Sequence, residues 1–220
     1  MIIVEGPDGG GKSTLTKHLH KKYGVALSSS SQLSSQDRND KSFRSPGAVR
    51  DRVYRAVLRE ATGRKGPELH DRLFFSELIY ADVYGRDPCF NFAEQRHICR
   101  MMVAFENPVI FCLPPQEEIL KKILATDQME GVHENFSKIY SRYVLMMSMS
   151  DETRTGDWGG KMRAANDKTG VGVGKRMRRE LNVPRLIHYD YTNQQHLDKI
   201  HGVVEKYLSK RALRGVGWTQ

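Results

Sequence analysis

Cysteine is scarce in this chain: Cys89, Cys99 and Cys112 are the three present in 220 residues, an odd number with no CxxC pair. That argues against a disulfide framework or a zinc site built on paired thiolates, and for a reducing cytosol. Long apolar runs are missing too, so no segment is expected to cross a membrane. The opening residues, MIIVEGPDGGG, have neither the basic region nor the cleavage site of a secretory signal. His70, His97 and His188 lack metal-ligand spacing. Acidic residues are outnumbered, 26 against 35 Lys and Arg, which leaves a net charge of +9 with the eight His neutral. Such an excess implies an anionic partner, either nucleotide phosphates or a nucleic acid, and composition alone does not choose between them. With 39% hydrophobic residues there is material for a sizeable core, which excludes wholesale disorder.

Apolar periodicity predicts strands at residues 1–5, 25–27, 68–70, 109–113 and 185–191. Helices are expected at 12–23, 48–61, 72–84, 92–105, 116–124, 134–149 and 194–213, and the Ser-rich stretch 28–40 reads as a loop. Met146, Met147 and Met149, with Tyr140 and Tyr143, read as helix core. Strands alternating with helices imply βαβ units, hence a parallel sheet covered on both faces.

Gly6-Pro7-Asp8-Gly9-Gly10-Gly11-Lys12-Ser13 fits GxxxxGK[ST] at every fixed position, with an apolar strand before it and a helix after it. Glycines let the backbone curl so that successive N–H groups face phosphate oxygens, and the helix N-terminus adds its positive end. Gly6, Gly9, Gly10, Gly11, Lys12, Ser13 and Thr14 are therefore the expected ATP-binding residues. Lys12 would reach the β- and γ-phosphates, and the Ser13 hydroxyl would ligate Mg²⁺. The later run Gly170-Val171-Gly172-Val173-Gly174-Lys175 has no strand before it and reads as a flexible hinge.

Asp71-Arg72 follows a short apolar segment, where the carboxyl end of a strand faces the crevice of a parallel sheet. An Asp there can serve a metal, and an Arg fork can hold a phosphate bidentately. Alone, the pair reads equally as a helix N-cap and a surface Arg. It is not alone. Glu5 to Thr14 (EGPDGGGKST) resembles the EGxDGxGKST opening of thymidylate kinases. Asp71-Arg72-Leu73-Phe74-Phe75-Ser76, followed by Tyr80, is similar to that family's DRxxxSxxxY segment. Phe43-Arg44-Ser45-Pro46-Gly47 resembles its REPG loop with Ser45 in place of Glu, and IFCLPP at 110–115 resembles its fourth strand and the following turn. The shorter versions encoded by bacteriophages look most similar.

The resemblance implies an α/β P-loop NTPase fold with a five-stranded parallel sheet, transferring phosphoryl from Mg-ATP to a pyrimidine deoxynucleotide. It makes Lys12, Asp8, Asp71 and Arg72 the catalytic set. Arg44 and Arg72 would hold the acceptor phosphate, Asp71 would stand near Mg²⁺ with Ser13, and Asp8 would accept a hydrogen bond from the sugar 3′-hydroxyl. Phe74, Phe75 and Tyr80 would wall the base, although core packing is the expected role for at least one of the two phenylalanines. Tyr191-Thr192-Asn193 falls where such kinases contact adenine. The family often dimerises, but no exposed stripe in the sequence demands a homodimer.

Two departures stand out. The place of the family's arginine-bearing lid reads ATDQMEG at 125–131, without Arg. The expectation is one kinase domain over 1–220 that carries a basic, Gly-rich insert at 150–182. Residues 154–179 hold eight Lys and Arg against Asp157 and Asp167, two-thirds of the whole chain's net charge. The insert would be a mobile displaced lid over ATP, a DNA-tracking arm, or simply a solvated loop. The second departure is Ala81, where the family continues Tyr with Gln. Related phage kinases phosphorylate the hydroxymethyl group of 5-hydroxymethyluracil in DNA, and the basic arm suits that alternative. A nucleotide-binding switch that phosphorylates no small acceptor is a third reading, because a P-loop does not fix function.

Overall fold

The computed structural model describes residues 1–28, 45–63, 66–125, 131–150 and 184–213. Five strands form one parallel sheet: β1 (Ile2–Glu5), β2 (Ala26–Leu27), β3 (Glu68–Asp71), β4 (Val109–Cys112) and β5 (Leu186–Tyr189). Their order is β2-β3-β1-β4-β5. Seven helices lie among the described residues: α1 (Lys12–Tyr23), α2 (Pro46–Thr62), α3 (Phe75–Val83), α4 (Phe92–Ala104), α5 (Gln116–Leu124), α6 (Val132–Ser150) and α7 (Gln194–Leu213). The expected five-stranded α/β architecture is the observed one.

All of β1 and β4 is buried, because helices cover the sheet on both sides. Side chains alternate between two cores, as the period of a strand requires. Ile2, Val4, Leu69, Ile110, Cys112, Ile187 and Tyr189 pack with Leu15 and Leu19 of α1 and Ile200, Val204 and Tyr207 of α7. Ile3, Val109, Phe111 and Leu186 face the larger cluster, which draws on α2 to α6 and includes Phe74, Phe75, Tyr140, Tyr143 and Met146. Tyr140, Tyr143 and Met146 of α6 thus pack as core, with Met147 against it, while the Met149 side chain lies outside the described residues.

β1 lies centrally, with Val4 paired to Asp71 on one side and Ile110 on the other. The chain runs outward from β1 to β2, returns to β3, and then crosses to β4. That reversal opens a crevice at the carboxyl ends of β1, β3 and β4, where the segments after β1 and β3 meet.

One expectation is corrected. The helix predicted from Arg72 begins at Phe75, because Arg72 has φ 67 and Leu73 and Phe75 donate their N–H groups to a side chain of β1. A left-handed residue cannot continue a right-handed helix. The loop 29–44 and the insert 151–183 lie outside the described residues.

Candidate functional site

Gly6 leaves β1 with φ 144, and a Cβ there would stand 2.5 Å from the Cys112 carbonyl oxygen. Gly11 has φ 87, and a Cβ on it would meet the Tyr191 ring at 2.9 Å. These two positions explain why the loop needs glycine: the backbone turns the wrong way for a side chain, against β4 at one end and Tyr191 at the other. Gly9 shares the left-handed conformation, and the Gly10 N–H closes the turn onto the Pro7 carbonyl at 3.2 Å. The loop then enters α1, whose first residues are Lys12, Ser13 and Thr14. Lys12 is buried and donates to the Pro7 carbonyl at 2.6 Å, so its ammonium lies over the loop. Burial lowers its pKa, Arg72 adds to that, and Asp8 and Asp71 oppose both. Ser13 and Thr14 are exposed.

Asp71 closes β3 and Arg72 follows it in the left-handed conformation, with its N–H donated to the Val4 carbonyl at 2.9 Å. The two neighbours serve different parts of the P-loop. Asp71 Oδ2 accepts from the Ser13 hydroxyl at 2.5 Å, while Arg72 Nη2 donates to Asp8 Oδ1 at 2.5 Å. Tyr80 donates its hydroxyl to Asp8 Oδ2 at 3.0 Å, and the Arg72 guanidinium lies 5.0 Å from the centre of the Tyr80 ring. Burial works against the Asp8 carboxylate, but Arg72, Lys12 and the Tyr80 hydrogen bond outweigh it and hold its pKa at about 2. Burial and then the Asp8 charge push the Tyr80 phenol upward. Asp8 thus stays anionic, with two donors aimed at it.

The sequence-predicted residues divide clearly. Lys12, Ser13, Asp71, Asp8, Arg72 and Tyr80 form one connected group. Phe75 does not join it: its ring is 1% exposed and packs edge-on against Phe111, with centroids 5.7 Å apart. Phe74 is equally buried, against Phe90. Core packing is what these contacts describe: Phe75 meets Phe111 of β4, and Phe74 meets Phe90 in the segment before α4. Arg44 lies outside the described residues, as do 154–179. Ala81 is buried in α3.

Tyr191 lies beside Gly11, with the Lys122 ammonium 3.6 Å from its ring centre. Glu5 opens the phosphate-loop motif, which gives it no role; it is wholly buried and ties β1 to the turn after Arg72. Its signal was present: a carboxylate at the end of an apolar central strand needs buried donors.

The group's oxygen donors, a hydroxyl and a carboxylate 2.5 Å apart beside the loop, suit a hard cation such as Mg²⁺. No cluster of three or more His, Cys, Asp or Glu among the described residues suits a metal held by protein alone.

No family model matches the chain, and no curated protein matches it. Among solved structures, a deoxyadenosine kinase from M. mycoides with bound dCTP aligns over 94% of this chain and 100% of that one. The identity is 13% and the TM-score 0.44. A likeness that loose carries no weight for function.

Proposed function

We propose that this chain is a Mg-ATP-dependent kinase acting on a pyrimidine deoxynucleoside monophosphate. The observation that carries the reading is the division of labour at residues 71 and 72: Asp71 serves Ser13 on the phosphate loop, and Arg72 serves Asp8 on the opposite flank. Two adjacent residues thereby set a metal-side group and an acceptor-side group at a fixed spacing.

The glycine-lined loop and Lys12 would take the ATP phosphates. Mg²⁺, held by Ser13 with Asp71 beside it, would offset phosphate charge. On the acceptor side the Arg72 fork matches a phosphate dianion as well as it matches a carboxylate. An incoming monophosphate would exchange places with Asp8 on Arg72 and release the carboxylate to accept from the sugar hydroxyl. An oxygen of the acceptor phosphate then attacks the γ-phosphorus, the bond to the β–γ bridging oxygen breaks, and ADP leaves. The chain's own contribution is placement and charge neutralisation. A phosphate oxygen brings no proton to remove, whereas a hydroxymethyl acceptor in DNA needs a general base. With its pKa at about 2 while paired to Arg72, Asp8 is poorly suited to that task. The pyrimidine preference comes from the DR–Ser–Tyr resemblance.

Steady-state kinetics with Mg-ATP and dTMP test the assignment. Arg72→Ala is expected to raise the KM for dTMP about tenfold to a hundredfold and to leave the KM for ATP near wild type. Lys12→Ala is expected to cut turnover by at least about a hundredfold with the fold intact. Turnover retained in Lys12→Ala, or an Arg72→Ala defect confined to ATP, would overturn it.

A further inference from the structure

Glu5 ends β1 and has no exposed surface. A carboxylate taken wholly out of water must find donors inside the fold. Among the described residues, all of its donors come from one turn. Oε1 accepts from the N–H of Leu73 at 2.9 Å and of Phe75 at 3.1 Å, and Oε2 accepts from the Ser76 hydroxyl. Ser76 Oγ lies 2.8 Å from the Tyr143 hydroxyl on α6, which fixes the far side. The β1–β3 ladder stops where this contact begins: Val4 pairs with Asp71, and the Arg72 N–H reaches the Val4 carbonyl. Past Arg72, the Leu73 and Phe75 N–H groups go to the Glu5 side chain.

We propose that Glu5 is a positioning residue for the acceptor side of the site: it holds residues 72–76 in their turn, so that Arg72 stays left-handed and presents its guanidinium to Asp8. This rests on the kinase reading above and deepens it. A non-glycine residue keeps a positive φ only under outside constraint, and the captured N–H groups of Leu73 and Phe75 supply that constraint. Without them, residues 72–74 are drawn into the helix that begins at Phe75. Asp71 is held by the ladder itself, so the Ser13 contact does not depend on Glu5 in the same way. Glu5 acts through backbone and Ser76, and is not a catalytic residue.

The test compares Glu5→Gln with Glu5→Ala in the full chain. Gln keeps the Oε1 acceptor for both N–H groups, and its amide can donate to Ser76, which then donates to Tyr143. Glu5→Gln should hold the KM for dTMP within about threefold of wild type. Glu5→Ala loses all three contacts and should raise that KM at least about tenfold and lower kcat, while the KM for ATP moves less than about twofold. Amide exchange at Leu73 and Phe75 should quicken in Glu5→Ala alone. Where Glu5→Ala does not fold, Glu5→Asp, one methylene shorter, carries the same expectations. An unchanged dTMP KM, both KM values moving together, or a loss in Glu5→Gln as deep as in Glu5→Ala overturns the role. A wild type without transfer overturns the kinase reading instead, and amide exchange then decides the turn by itself: quickened exchange supports Glu5 as its anchor, and unchanged exchange contradicts it.

Discussion

At Gly6 a single added carbon has nowhere to go. Its Cβ would stand 2.5 Å from a backbone oxygen of β4, at a φ that side chains rarely adopt. Gly6→Ala is therefore expected to deform the loop and abolish ATP binding by equilibrium dialysis. Binding at wild-type affinity would mean that this backbone does not cradle phosphate. His70 makes a different kind of prediction. Its ring is buried in β3, and burial, then the Met1 amine and Arg59, lower its pKa to about 3. The unfolded chain takes up a proton there near pH 6.5, which the folded chain refuses until about pH 3. The associated stability is therefore intact above pH 6.5 and is lost as pH falls toward 3. Urea midpoints of wild type should fall more steeply than those of His70→Leu between pH 6.5 and 4. Parallel slopes would contradict the buried neutral ring.

Among the elements, α4 shows a contribution local enough to isolate. Asn91 accepts from the Glu94 N–H at 3.0 Å and Glu94 accepts from the Asn91 N–H at 2.8 Å, a reciprocal cap. Asn91→Ala should lower stability by about 1 kcal/mol in urea titration without changing transfer kinetics. The elements also show where sequence reading succeeds and stops. β1, α1, α5 and α7 announce themselves through local apolar period, glycine and proline. The start of α3 does not. Leu73 to Val83 continues a helix-like pattern backward to Arg72, and the interruption comes from Glu5, far away in the chain. Tyr80 was legible through its motif spacing. The resemblance puts Phe74, Phe75 and Tyr80 at the base, with core packing expected for at least one phenylalanine, and the Phe75 ring packs on Phe111. A motif gives residue identity; the direction of a helix face is decided by what packs on it.

For the whole molecule, the sheet order puts the P-loop and the Asp71-Arg72 pair at one crevice, and that placement follows from β1 lying between β3 and β4. The charge of the chain bears on its partner. Since two-thirds of the net +9 lies in 154–179, beyond the described residues, the site accounts for little of it. The proposed reading takes a small phosphorylated acceptor at the crevice, and the basic insert is what would favour a polymer. One experiment separates them: incubation with Mg²⁺ and γ-labelled ATP, with dTMP, hydroxymethyl-dUMP and hydroxymethyluracil-containing DNA offered in parallel. Label is expected in a pyrimidine mononucleotide, as its diphosphate, and not in DNA. Label in the polymer alone, or in none of the three, would contradict the account.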